Sequence, residues 1–296
     1  MRWRGVLVVS CLLSTSGVPA RALVHVAATI FPLADMVAEI GGDAVETTTL
    51  LPAGASPHTF EPTPAQMRAV AQAQVLVEIG AGLDTWVAKL RTARGGELKV
   101  VTITAGLQLV GAPERHAGAA GVQSGGGDPH VWLDPVLMRD HAAPAIAAAL
   151  SQVDPGQRAV FEEGARRFQS ALTRLDADIH AALDPLPHRQ YVAFHSAWTY
   201  FDRRYRLEES GVVERFPGKE PSAQEIAALV QKARAAQVRA VVVEPQFTSR
   251  LAAQIASEFG ARVVAVDPLG GPAIPGRNHY LDLMHYNAMV FAEALR

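Results

Sequence analysis

The chain has 296 residues, of which 49% are apolar and 19% charged, with a formal net charge of -2. That is a globular composition, and the length suits two domains that each bury a core. No basic block and no aromatic-basic interleaving occurs, so nucleic acid is excluded as an expected partner.

In chain order the first feature is an export signal over residues 1–22. Arg2 and Arg4 supply the positive end, Val6 to Leu13 the apolar run, and Ala20-Arg21-Ala22 a small-x-small cleavage site. The run is shorter than the roughly 20 residues that span a bilayer as a helix. Cleavage near Ala22 predicts a periplasmic location and leaves a net charge of about -5. The single cysteine, Cys11, lies inside this leader, and the residues before it lack the usual Leu-Ala-Gly character of a lipidation site. The mature chain therefore has no thiol, and any metal must be held by nitrogen and oxygen.

Short β-branched runs followed by amphipathic stretches predict βα units and parallel sheets. Strands are expected at 24–28, 45–51, 75–79 and 99–102, with helices at 64–73 and 84–94. The segment 111–128, rich in Gly and Ala, reads as a surface loop. From Pro155 to Leu183, apolar residues at Phe161, Ala165, Phe168, Leu172, Leu175, Ile179 and Leu183 advance by alternating steps of about four and three. This predicts one long helix, with Asp154 as N-cap, Pro155 at its first position and Pro185 near its end. A helix about 40 Å long is too long for an ordinary crossover and suits a rigid spine between lobes. Beyond it, strands are expected at 191–194, 240–243 and 262–266, with helices at 222–236 and 248–259. The expected architecture is α/β: a lobe over 23–154, the linking helix 155–184, and a lobe over 185–296.

Three of the ten histidines stand after a strand or in a proline-framed turn. They are His58 in Ser-Pro-His-Thr-Phe-Glu-Pro, His130 in Asp-Pro-His-Val-Trp-Leu-Asp-Pro, and His195 in Tyr-Val-Ala-Phe-His-Ser-Ala-Trp. Asp267 ends the run Val-Val-Ala-Val and precedes Pro268. Loops at the carboxyl ends of parallel strands converge on one crevice, and each half of the chain supplies two of the four. Three imidazoles and a carboxylate would make a tetrahedral zinc shell. Taken singly, a histidine in a turn is more often a solvent or core hydrogen-bonder than a ligand, and Asp267 is equally compatible with starting a turn. Glu61 is either an acceptor behind a ligand imidazole or a helix-entry carboxylate. Trp132 and Trp198 either dry the cleft or pack in the core, and Glu244 is open to pairing with a helix N-terminus or an arginine. His116 reads as a solvated loop residue, and the other six histidines as surface or packing residues.

Ordered motifs carry a resemblance. They are Pro-His-Thr-Phe-Glu-Pro-Thr-Pro at 57–64, His-Val-Trp-Leu-Asp-Pro at 130–135, Phe-His-Ser-Ala-Trp-Thr-Tyr-Phe at 194–201, Glu-Pro-Ser-Ala at 220–223, Val-Glu-Pro-Gln-Phe at 243–247 and Val-Asp-Pro-Leu-Gly at 266–270. From about Val26 onward the chain resembles the zinc- and manganese-binding solute-binding proteins of ABC transporters. The resemblance implies two α/β lobes joined by one long helix, with ligands at His58, His130, His195 and Asp267. It also implies a monomer that delivers Zn2+ to a membrane permease. Manganese-binding members typically carry Glu where His195 stands, which turns the choice toward zinc; a manganese-binding homologue is the alternative. Many zinc-specific relatives have a His- and Asp-rich loop before the second ligand, whereas 111–128 has only His116. A secreted zinc hydrolase is the rival from another class. Four protein ligands leave no open position for it, and no His-Glu-x-x-His motif occurs.

Overall fold

The computed structural model describes residues 22–92, 97–111, 126–214, 219–247 and 249–296. Residues 1–21 of the export signal and His116 fall outside these residues.

Two four-stranded, wholly parallel sheets form the two lobes. The first has order β2-β1-β3-β4, from β1 (Val24–Ala28), β2 (Val45–Thr49), β3 (Val75–Glu78) and β4 (Lys99–Thr102). The second repeats that order as β6-β5-β7-β8, from β5 (Gln190–His195), β6 (Glu208–Glu214), β7 (Ala240–Val243) and β8 (Arg262–Ala265). Strands β3 and β7 are buried at every residue, and each occupies an inner position of its sheet. Such strands read as aliphatic runs because helices cover both faces, and only Glu78 at the end of β3 departs from this.

Helices of the first lobe are α1 (Phe31–Gly41), α2 (Pro64–Gln72), α3 (Val87–Arg91), α4 (Pro135–Leu137) and α5 (Ala143–Val153). The spine is α6 (Arg158–Leu183), and α7 (Thr199–Tyr205), α8 (Ala223–Ala235), α9 (Ser249–Phe259) and α10 (Tyr280–Ala294) complete the chain. Among the described residues no helix is long and apolar enough to cross a membrane.

The expected spine is present, preceded by a 3-10 turn at Pro155–Gln157 whose Gly156 amide donates to Asp154 Oδ1 (3.1 Å). Its 26 residues extend about 39 Å at 1.5 Å each. The stripe Phe161, Ala165, Phe168, Leu172, Leu175, Ile179 and Leu183 is buried in one core that also holds Val26 and Met36 of the first lobe and Tyr191 and Phe291 beyond the spine. The helix is thus a shared wall of both lobes as well as a connector.

Further ties cross between the lobes. The Trp132 indole donates to the Pro268 carbonyl (2.7 Å), and the Tyr280 hydroxyl donates to the Trp132 carbonyl (2.7 Å). Arg204 of α7 grips Asp134 with two nitrogens (3.1 and 2.8 Å), while Asp134 also caps α4 through the Val136 amide. A bidentate arginine–carboxylate pair of this kind fixes orientation as well as distance. The motif His-Val-Trp-Leu-Asp-Pro therefore fastens one lobe to the other.

Two expectations need correction. Among the described residues, the helix expected at 84–94 is an α-helix only over Val87–Arg91; it starts late because Asp84 is turned back to accept the Ile79 and Gly80 amides (2.8 and 2.9 Å). Strand β6 is absent from the sequence reading. It is an edge strand with Ser210 and Gly211 at its middle and a register shift opposite Tyr191/Val192, so it lacks an aliphatic run.

Candidate metal centre

The loop after β2 carries His58. The Trp86 indole donates to the Pro57 carbonyl (3.1 Å), and Phe60 packs edge-on against Trp86 with ring centres 5.0 Å apart. The loop then enters α2 through a capping box, in which Thr63 accepts from an early amide and Gln66 reaches back to the Thr63 amide (3.0 Å). His58 is thus held on a loop pinned at both ends.

His130 leads into the 3-10 turn Val131–Leu133, and His195 is the last residue of β5. The three imidazoles face one another: ring centres are 5.3 Å apart for His58 and His130, 5.1 Å for His58 and His195, and 5.2 Å for His130 and His195. One ring nitrogen from each lies within 4.8 Å of the others, and the Nε2 atoms of His58 and His130 are 3.3 Å apart. Trp132, Phe247, Pro268 and Leu269 help to close the cleft around them. The space among them is about 20 Å³, room for a single ion or water and not for an organic solute.

Carboxylates stand behind two of the rings. Asp128 Oδ1 lies 2.7 Å from His130 Nδ1 and also accepts the His130 amide (2.9 Å). Burial alone would raise the Asp128 carboxyl, but its bonds to His130 outweigh this and hold it below the usual range. Glu244 Oε1 is 3.6 Å from His195 Nδ1, and neither Glu244 carboxylate oxygen has a hydrogen-bond partner among the described residues. A carboxylate on Nδ1 fixes the ring's orientation and leaves Nε2 free to coordinate. Removing such an acceptor commonly costs 10–100-fold in metal affinity. Asp128→Ala is therefore expected to weaken zinc binding by about 10–100-fold in competition with a chromogenic chelator. An unchanged affinity would show that Asp128 does not prepare the His130 ring.

Burial, then the neighbouring His130 and His195, push the His58 imidazole down to about 3. It is uncharged near neutral pH and offers a lone pair without first losing a proton. Glu209 behaves oppositely: burial lifts it to about 7, against the donation from Ser196 Oγ (3.1 Å) that favours its charge. In the metal-free protein, folded Glu209 keeps a proton that the unfolded chain releases above about pH 4.5. Its stabilising contribution is therefore lost as pH rises from about 4.5 to 7. Glu209→Gln should gain stability over the parent between pH 5 and pH 8, on the order of 2 kcal/mol in urea unfolding. Equal differences at both pH values would contradict this.

Asp267 is not part of the histidine group. Its Oδ1 accepts the Leu269 and Gly270 amides (3.0 and 2.9 Å), its Oδ2 lies 2.9 Å from Arg277 Nη1, and its backbone is clasped by Asn287. Glu61 is a surface residue paired with Lys89 (3.0 Å), so it is neither a base nor an acceptor at the imidazoles. Those acceptor positions belong to Asp128 and Glu244, which sequence reasoning did not assign. The signal for Asp128 was an acid two residues ahead of His130. Trp132 lines the cleft, whereas Trp198 packs on Phe201 and Phe291 in the core.

Residues 26–294 match the family described as zinc-uptake complex component A, periplasmic (ZnuA). The chain is 26% identical over 279 residues to the high-affinity zinc uptake system protein ZnuA of Bacillus subtilis (strain 168), covering 92% of this chain and 87% of that one. It is 28% identical over 323 residues to the protein of the same description from Paracoccus denitrificans (strain Pd 1222), covering 98% and 97%. A crystal structure of a ZnuA deletion mutant with zinc bound superposes with a TM-score of 0.80 at 32% identity, covering 93% of this chain and 98% of that one.

Proposed function

Matched over residues 26–294, the chain belongs to the family of periplasmic zinc-uptake complex A components, and on that premise we propose that it captures Zn2+ between its lobes and passes it to an ABC-transporter permease. Members of this family bind metal as solute-binding proteins and are not enzymes. The observation that carries the reading is the meeting of three imidazoles in a cleft sized for one ion. In this reading the zinc ligands are His58, His130 and His195. Asp267 is the fourth, donating Oδ2 once that oxygen exchanges Arg277 for the metal. Support for Asp267 is its place beside Pro268 and Leu269, which line the cleft.

Three nitrogen donors favour zinc over the harder manganese, and the Irving–Williams order acts in the same direction. The zinc-bound ZnuA relative supports the same choice. The proposed location is the periplasm, after cleavage of the leader near Ala22. The interlobe ties and the shared spine favour a small tilt over a wide hinge for metal release.

Competition between zinc and manganese for the purified protein tests the reading. Zinc is expected to bind at least about 100-fold more tightly. Equal or reversed affinities would favour a manganese carrier with the same transport role.

A further inference from the structure

A second group of metal-capable side chains lies apart from the three histidines. Asp35 and Glu39 sit one turn apart on α1, and His279 is the residue that precedes α10. One ligand atom from each of the three lies within 4.8 Å of the others. His279 Nδ1 is 3.1 Å from Asp35 Oδ1, while Asp35 Oδ2 accepts the Tyr280 amide (2.7 Å) and so caps α10. The site thus joins the first helix of one lobe to the last helix of the chain.

Its electrostatics are unbalanced. Carboxylates four residues apart on a helix repel each other, yet among the described residues no lysine or arginine side chain pairs with either carboxylate. The nearby Arg167 guanidinium donates instead to the Glu39 backbone carbonyl (3.0 Å). Asp35 is buried, and burial lifts its carboxyl above the usual range, a cost that a bound cation would relieve. Two carboxylates and one imidazole, converging from two elements, are an open oxygen-and-nitrogen donor set suited to a borderline divalent ion.

We propose that Asp35, Glu39 and His279 form a second, weaker zinc site on the outer surface, which ties α1 to the start of α10 when zinc is abundant. With three ligands, two of them exposed, the site binds well below the affinity of the more buried histidine cleft. It neither requires nor supplies the cleft ligands, so it stands or falls separately from the transport reading.

The test is calorimetric titration of the mature protein, loaded with one equivalent of zinc, up to about 1 mM further zinc. A second event near one equivalent per chain is expected. Glu39→Gln and His279→Gln should each weaken that event by about tenfold or more and leave the first unchanged. Asp35 is kept, because its loss would also uncap α10. The melting temperature should rise further between one equivalent and 1 mM zinc, and this rise should vanish in the double variant. Anomalous scattering at the zinc edge should place an ion against His279. No second event up to 1 mM, or one that survives in the double variant, overturns the proposal. Loss of the tight event alone would count against the cleft reading and not against this one.

Discussion

His195→Ala is expected to weaken zinc binding by about two orders of magnitude or more, roughly 3 kcal/mol, with little change in the metal-free fold. His195 ends β5, and its ring stands about 5 Å from both other imidazoles, so alanine removes one of three nitrogen donors without disturbing the loops that carry the other two. Circular dichroism and a metal-free melting temperature within a few degrees of the parent would separate lost coordination from lost folding. An affinity unchanged in chelator competition would remove His195 from the shell.

Gly164→Ala is expected to be among the most damaging substitutions outside the cleft. In an exposed helix, alanine for glycine would gain about 1 kcal/mol. At Gly164, however, a Cβ would collide with the backbone carbonyl of Ile40, where α6 crosses α1, and backbone cannot swing aside as a side chain can. Overpacking of this kind costs about 1–3 kcal/mol, and more where the neighbour is rigid. Set against the helix gain, the net expectation is a loss of up to about 2 kcal/mol and a fall of up to roughly 8 °C in the melting temperature of the metal-free protein. A neutral or stabilising effect would show that α1 and α6 are not packed this closely.

How much of this was legible in the sequence followed how local each determinant is. Aliphatic runs such as Ala240–Val243 announced themselves because a strand covered on both faces needs no polar residue. The spine was visible because its apolar stripe lies within one segment, and Pro155 and Pro185 marked its ends. Strand β6 was not, since an edge strand tolerates Glu208, Ser210 and Gly211. Helix α1 also escaped notice, with Pro32 in its first turn and glycines at its end. For the site, proline-framed turns exposed His58 and His130, and the end of an aliphatic strand exposed His195. The commitment of Asp267 to Arg277 was hidden, because the two are ten residues apart and meet only through the turn after β8. The charge partner of His195, Glu244, directly follows a different strand, β7, so only tertiary structure connects them.

X-ray absorption at the zinc edge, on the mature protein holding one equivalent of metal, reads the ligand set directly. Four nitrogen and oxygen donors at about 2.0–2.2 Å are predicted, with the outer-shell scattering of three imidazoles. A spectrum showing one imidazole or none would mean that the ion binds elsewhere, and the account of the cleft would be wrong.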